Sequence, residues 1–246
     1  MVKTLNFAHR GFRSQFPENT MTAFEKAVQL GVDGIEFDVH LSCDGVPVII
    51  HDEKLDRTCN AFGFVKDFSF AELRKINAAA HFQPSSSKRS ILSEKIPSLE
   101  EYCDFIKNTD IISNIELKTG VFEYRGIEEK TYELLKKYNL RERCIISSFN
   151  HESVLRMKDI DKSLVCGFLV DSWEINPAQN IRRLGIECYH PCAYRLTKKF
   201  VDYMHEYKIK VNAWFGSVQT DYTAVLASGL DAIITDYPDA IKVLLS

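Results

Sequence analysis

From Thr4 to the last residues, short apolar runs rich in Val and Ile alternate with stretches whose apolar residues recur at helical spacing. Few architectures accept that alternation along a whole chain. A strand that reads as a nearly continuous apolar run is covered on both faces, as in a parallel sheet flanked by helices. Strands are predicted near 4–8, 34–39, 112–117, 143–148, 164–170, 186–190, 209–214 and 231–235. Helices are predicted near 21–30, 98–107, 127–138, 151–157, 178–184, 197–207, 219–228 and 238–244. Eight such units close a TIM (β/α)8 barrel, and 246 residues with 45% hydrophobic content suffice for one. We therefore expect a single TIM-barrel domain spanning 1–246. Right-handed crossovers place all strand C-terminal ends on one face, where chemistry is expected to gather.

Local signals support this frame. Asn19 or Thr20 caps the first helix, with Thr22 and Glu25 as a competing capping box, and Pro97-Ser98 before Glu100-Glu101 opens another. After the second strand, Ser42-Cys43-Asp44-Gly45 reads as a tight turn into Val46-Pro47-Val48-Ile49-Ile50, where Pro47 implies an edge or irregular strand. From 56 to 96 the pattern loosens into an aromatic and serine-rich stretch that includes Pro84-Ser85-Ser86-Ser87-Lys88-Arg89. It is expected to be an insertion over the barrel mouth, either a lid or a decorated loop.

A formal charge of -3 gives no general attraction to nucleic acid or an anionic membrane, so any phosphate must be met by locally placed cations. The seven cysteines contain no C-x-x-C pair and sit mostly in apolar stretches, as expected for reduced thiols in a cytoplasmic protein. No signal-peptide pattern opens the sequence, and no apolar run is long enough to span a bilayer.

Glu36 and Asp38 lie two apart in a predicted strand, so both carboxylates project to the barrel interior while Ile35, Phe37 and Val39 face the helices. Glu116, at the end of the third strand, brings a third carboxylate to the same centre. Like charges so close resist joint ionisation unless a cation is present, and hard oxygen ligands suit Mg²⁺ or Ca²⁺. His9 and His51 each end an apolar run at the same face and can supply one acid and one base. Asp52 is placed to orient an imidazole or, equally, to cap a turn. Arg10 and Lys118, beside these groups, are the natural phosphate contacts, with salt bridging as the plainer alternative. His40 continues the Glu36–Asp38 alternation and is read as a solvent-facing or hydrogen-bonded histidine, not a ligand.

Ala8-His9-Arg10-Gly11, Pro17-Glu18-Asn19-Thr20, Glu36-Phe37-Asp38-Val39, Asp44-Gly45, Val46-Pro47-Val48 and His51-Asp52 resemble the glycerophosphodiester phosphodiesterase family. Leu55-Asp56-Arg57-Thr58, Ile115-Glu116-Leu117-Lys118 and the closing Gly229 to Asp239 segment extend the likeness over nearly the whole chain, with 60–95 and 172–200 matching poorly. The resemblance implies a barrel hydrolase that cleaves a glycerophosphodiester to glycerol 3-phosphate and an alcohol with one divalent cation, Mg²⁺ or Ca²⁺. It implies His9 and His51 as the acid–base pair, Glu36, Asp38 and Glu116 as metal ligands, and Arg10 and Lys118 as phosphate contacts. Glu18 and Asn19 would belong to the loop framing the metal.

Where the family tends to carry Trp-Thr-Val-Asn on the seventh strand, this chain has Ala213-Trp214-Phe215-Gly216, which bears on the alcohol side of the site. Phe149 and Trp214 are candidate walls for the glycerol or, equally, barrel-top core. Two other readings keep the same residues. One is a related phosphodiesterase acting on lysophospholipids. The other is a barrel that binds glycerophosphodiesters without turnover, against which two proton-transfer groups argue.

Overall fold

The computed structural model describes residues 3–83, 93–172, 174–215 and 222–246. Along these, the chain order is β1 (Leu5–His9), α1 (Met21–Leu30), β2 (Gly34–Leu41), β3 (Pro47–Ile49), α2 (Phe70–Leu73), α3 (Leu99–Ile106), β4 (Ile112–Leu117), α4 (Ile127–Lys137), β5 (Cys144–Ser148), α5 (His151–Ile160), β6 (Val165–Val170), α6 (Pro177–Arg183), β7 (Cys188–Pro191), α7 (Lys198–Glu206), β8 (Lys210–Trp214), α8 (Tyr222–Leu226), β9 (Ala232–Thr235) and α9 (Pro238–Leu245). The sheet runs β1-β9-β8-β7-β6-β5-β4-β2, and β1 pairs again with β2 to close it. Eight parallel strands thus form the expected TIM barrel.

Strand β3 is the one antiparallel neighbour among the described strands. It pairs with Val39–Leu41 of β2, beyond the Gly34–Glu36 stretch that β1 uses, so it occupies the ladder that β1 leaves free. Pro47 lies at its first position, where no ladder N–H is demanded of it.

Helix ends follow the sequence signals with one correction. Thr20, not Asn19, caps α1 through a bond from the Ala23 N–H to its hydroxyl, and the competing Thr22–Glu25 box does not form. Thr22 lies inside the helix and donates to Glu94 instead. Ser98 and Glu101 form a full capping box on α3. Part of the helix expected over 219–228 falls outside the described residues, as do Pro84 to Arg89 and Gly216.

Packing follows the two-residue period of the strands. Phe37, pointing outward from β2, meets Phe24 of α1 and Tyr102 of α3, with ring centroids 5.7 and 4.2 Å away. All three rings are fully buried, each worth about 2–3 kcal/mol relative to exposure. Inward-facing Phe7, Ile145, Cys188, Ala232 and Ile234 form a small apolar plug inside the barrel. Farther along the strands the interior turns polar, with Asn114, Ser147, His190 and Asn212 all buried.

The described parts of the 56–96 insertion are not structureless. Leu55, Cys59, Val65, Leu73, Ala78 and Ile96 pack on Val48 and Ile50 as a second apolar core, and α2 carries a Ser69–Glu72 capping box. The seven cysteines are all unpaired and five are buried. No helix among the described residues is long and apolar enough to cross a membrane.

Candidate active site

The strand ends deliver their polar side chains to one cavity of about 190 Å³ lined by His9, Arg10, Glu36, His51, Asn114, Glu116, Phe149, Leu169, Trp214 and Ile234. At the exit of β1 the backbone turns sharply, with Arg10 at φ 55° and Gly11 at φ 78°. A left-handed conformation is uncommon for a residue with a side chain. Here it aims the Arg10 N–H at Glu36 Oε2, 3.1 Å away. Gly11 follows because a Cβ there would come within 2.8 Å of Ala23 in α1.

Glu36, Asp38 and Glu116 each offer a carboxylate oxygen, and these lie within 4.8 Å of one another. All three residues are buried. Burial first, then the neighbouring carboxylates, drives Glu36 well above the usual carboxylate range. Burial also raises Glu116, against the pull of Lys118. For Asp38, burial is outweighed by His51, Lys118, Arg10 and the Asn19 amide, which together hold it ionised. Asn19 Nδ2 donates to Asp38 Oδ2 at 2.8 Å, while Asp38 Oδ1 has no hydrogen-bond partner among the described residues. A buried carboxylate oxygen without a donor, beside two carboxyls that resist ionisation, fits a hard divalent cation.

Each histidine is gripped by a carboxylate. His9 Nδ1 lies 2.5 Å from Asp236 Oδ1, leaving Nε2 on the side of Glu36, 3.8 Å away. His51 Nδ1 lies 2.5 Å from Asp52 Oδ1, and its Nε2 is 3.5 Å from Lys118 Nζ. Burial, then Arg10, lowers the His9 pKa, against the raising pull of Asp236. Lys118 lies 2.9 Å from Glu116 and 3.7 Å from Asp38. Burial would discharge it, but these two carboxylates raise it and keep it ammonium.

Glu18 and Asn19 do not line the cavity. Glu18 instead gathers three guanidiniums, at 3.0 Å from Arg10, 2.9 Å from Arg13 and 2.7 Å from Arg57. Burial would raise Glu18, but Arg57, Arg10 and Arg13 bring it down to about 2. Such a depressed carboxyl stabilises the fold fully above its unfolded pKa near 4.5 and loses that contribution as pH falls towards about 2, a span worth roughly 3 kcal/mol. The stability gap between parent and Glu18→Gln, read from urea midpoints, is accordingly expected to be widest near neutrality and to shrink progressively below about pH 4.5. A gap constant with pH would show that the arginines do not act through the charge of Glu18.

His40 is wholly buried, so the solvent-facing alternative does not hold. Its Nδ1 meets Tyr124 Oη at 3.0 Å and its Nε2 the His51 carbonyl at 3.1 Å, bracing the chain from which His51 projects. Phe149 and Trp214 meet edge to face at 6.1 Å, and both line the cavity.

Sequence reasoning did not single out Asp236, Arg13, Arg57 or Asn114. Asp236 directly follows β9, the same strand-end position that marked His9, and that position was its available signal. Arg57 joins Asp52, at 2.6 Å, to Glu18 across 39 residues of chain, a link no local pattern announces.

The profile of the glycerophosphoryl diester phosphodiesterase family matches residues 9–240. The chain belongs to this family. Among relatives of the same family, a glycerophosphodiester phosphodiesterase of Caldanaerobacter subterraneus is 39% identical over 240 residues, covering 98% of this chain and 97% of the relative. One from Bacillus altitudinis is 35% identical over 241 residues, covering 96% of each. A solved structure of an Oleispira antarctica phosphodiesterase in complex with the product sn-glycerol-3-phosphate superposes with TM-score 0.80 at 28% identity, covering 98% of this chain and 96% of that one. A putative glycerophosphoryl diester phosphodiesterase from Silicibacter pomeroyi, with TM-score 0.89 at 22% identity over 99% of this chain and 93% of its own, shares the fold.

Proposed function

We propose that this protein hydrolyses glycerophosphodiesters to glycerol 3-phosphate and an alcohol, with His9 and His51 as its acid–base pair. The observation that carries the reading is the meeting of two carboxylate-anchored imidazoles and three clustered carboxylates at one cavity. Nδ1–H of each ring donates to its carboxylate, which fixes the tautomer and leaves Nε2 for proton transfer. One histidine removes the proton of the attacking group, a substrate hydroxyl or water, and the other protonates the departing alcohol oxygen; where a hydroxyl attacks, water then opens the cyclic phosphate to give glycerol 3-phosphate. Arg10 and Lys118 hold the phosphoryl oxygens and bear the charge that builds on them.

Glu36, Asp38 and Glu116 would hold one divalent cation, Mg²⁺ or Ca²⁺. Bound there, it would supply Lewis-acid stabilisation of the phosphoryl oxygens. Glu18, gripping Arg10, and Asn19, gripping Asp38, keep a phosphate contact and a ligand in place. Phe149 and Trp214 wall the glycerol side. In this single-domain reading the described part of the 56–96 insertion flanks the mouth, tied down by Arg57 on Glu18 and Asp52.

Incubation with a panel of glycerophosphodiesters and Mg²⁺ or Ca²⁺ is expected to release glycerol 3-phosphate, measured with a coupled dehydrogenase assay. Release of choline from a lysolipid, or a cyclic phosphate as the end product, would instead assign the site to the lysophospholipid-directed alternative. Binding without turnover would leave a non-catalytic barrel.

A further inference from the structure

We infer that Asn114 is a specificity-determining residue that donates a hydrogen bond to a hydroxyl of the glycerol moiety, an inference that rests on the phosphodiesterase reading above. The cavity lining divides by chemistry. His9, Arg10, Glu36, His51 and Glu116 are charged or titratable, whereas Phe149, Leu169, Trp214 and Ile234 are aromatic or aliphatic. Asn114 is the neutral amide in this lining, on β4 directly beside Glu36 in the strand register.

Its amide oxygen is already used, accepting from Ser147 Oγ at 3.1 Å. Its amide nitrogen has no partner among the described residues, although Asn114 is fully buried. A buried donor left unpaired is costly, and a ligand oxygen that meets it recovers that cost. The indole of Trp214, the other neutral polar group in this lining, is committed elsewhere. Trp214 Nε1 donates to the carbonyls of Val170 and His190, at 3.3 and 3.1 Å. His190, outside this lining, accepts from Asn212 Nδ2 at Nε2, 3.0 Å away, while its Nδ1 has no partner among the described residues. With the phosphate held by Arg10 and Lys118, the glycerol hydroxyls reach into the same cavity, where this amide beside Glu36 is an uncommitted donor among the described residues. A site built around such a bond discriminates strongly against a substrate lacking the hydroxyl.

The test compares glycerophosphoethanolamine with the diester in which propyl replaces glycerol, on parent, Asn114→Ala and the nearly isosteric Asn114→Leu, with kcat/KM as the readout. The parent is expected to favour the glycerol diester by at least about 10-fold, and either variant to cut that preference by about 10-fold or more. Equal use of both diesters by the parent overturns the inference without any variant having to fold. Equal losses on both substrates in a folded variant overturn it too, by showing that Asn114 only supports the site. A parent that cleaves neither diester removes the phosphodiesterase reading itself, and the inference with it.

Discussion

Replacing His9 or His51 with alanine is expected to lower kcat by about 10²–10⁴-fold, the usual worth of a positioned proton-transfer group. The fold is expected to survive. Both rings sit at strand ends on the cavity, 12% and 28% exposed, and neither belongs to an apolar core cluster. The loss should appear in kcat rather than KM, because each imidazole acts on a proton in flight while Arg10 and Lys118 hold the phosphate. Steady-state kinetics at saturating substrate, with circular dichroism on each variant, make the check. Activity within a few-fold of the parent in either folded variant would end the acid–base assignment.

Chelation is expected to be at least as damaging. EDTA should reduce activity by at least about 10³-fold, the equivalent of several kcal/mol of lost transition-state stabilisation, and Mg²⁺ or Ca²⁺ should restore it. A second readout needs no turnover. In the empty site Glu36 and Glu116 are pushed towards their protonated forms, and a cation must displace those protons to bind. Added cation should therefore raise the melting temperature, and the rise should grow as pH increases through the range where these carboxyls ionise. Full activity in chelator, or a melting temperature indifferent to both ions, would dispose of the metal.

The barrel was legible because its signals are local. Each strand and helix carries its own period, Ser98-Leu99-Glu100-Glu101 carries its own cap, and Asp44-Gly45 with Pro47 announces an edge hairpin. The two-residue spacing of Glu36 and Asp38 likewise said which way their side chains point, since alternation is a property of any strand. Strand ends could be picked out, and with them His9, Glu116 and Lys118.

The partners of those residues were not written in the same way. Asp236 reaches His9 across 227 residues because β9 happens to lie beside β1 when the barrel closes. Arg57 reaches Glu18 across 39 residues from an insertion with a core of its own, where no periodic pattern had suggested order. Asn114 looked like one more strand residue until Ser147 on β5 took its oxygen and left its nitrogen bare. By itself, the sequence determined which side chains arrive at the mouth of the barrel, because period and turn chemistry act over a few residues. Which of them touch, which carboxyl keeps its proton and which donor is left over were decided by tertiary structure alone, since hydrogen bonds and charge–charge energies depend on ångström distances between strands far apart in the chain.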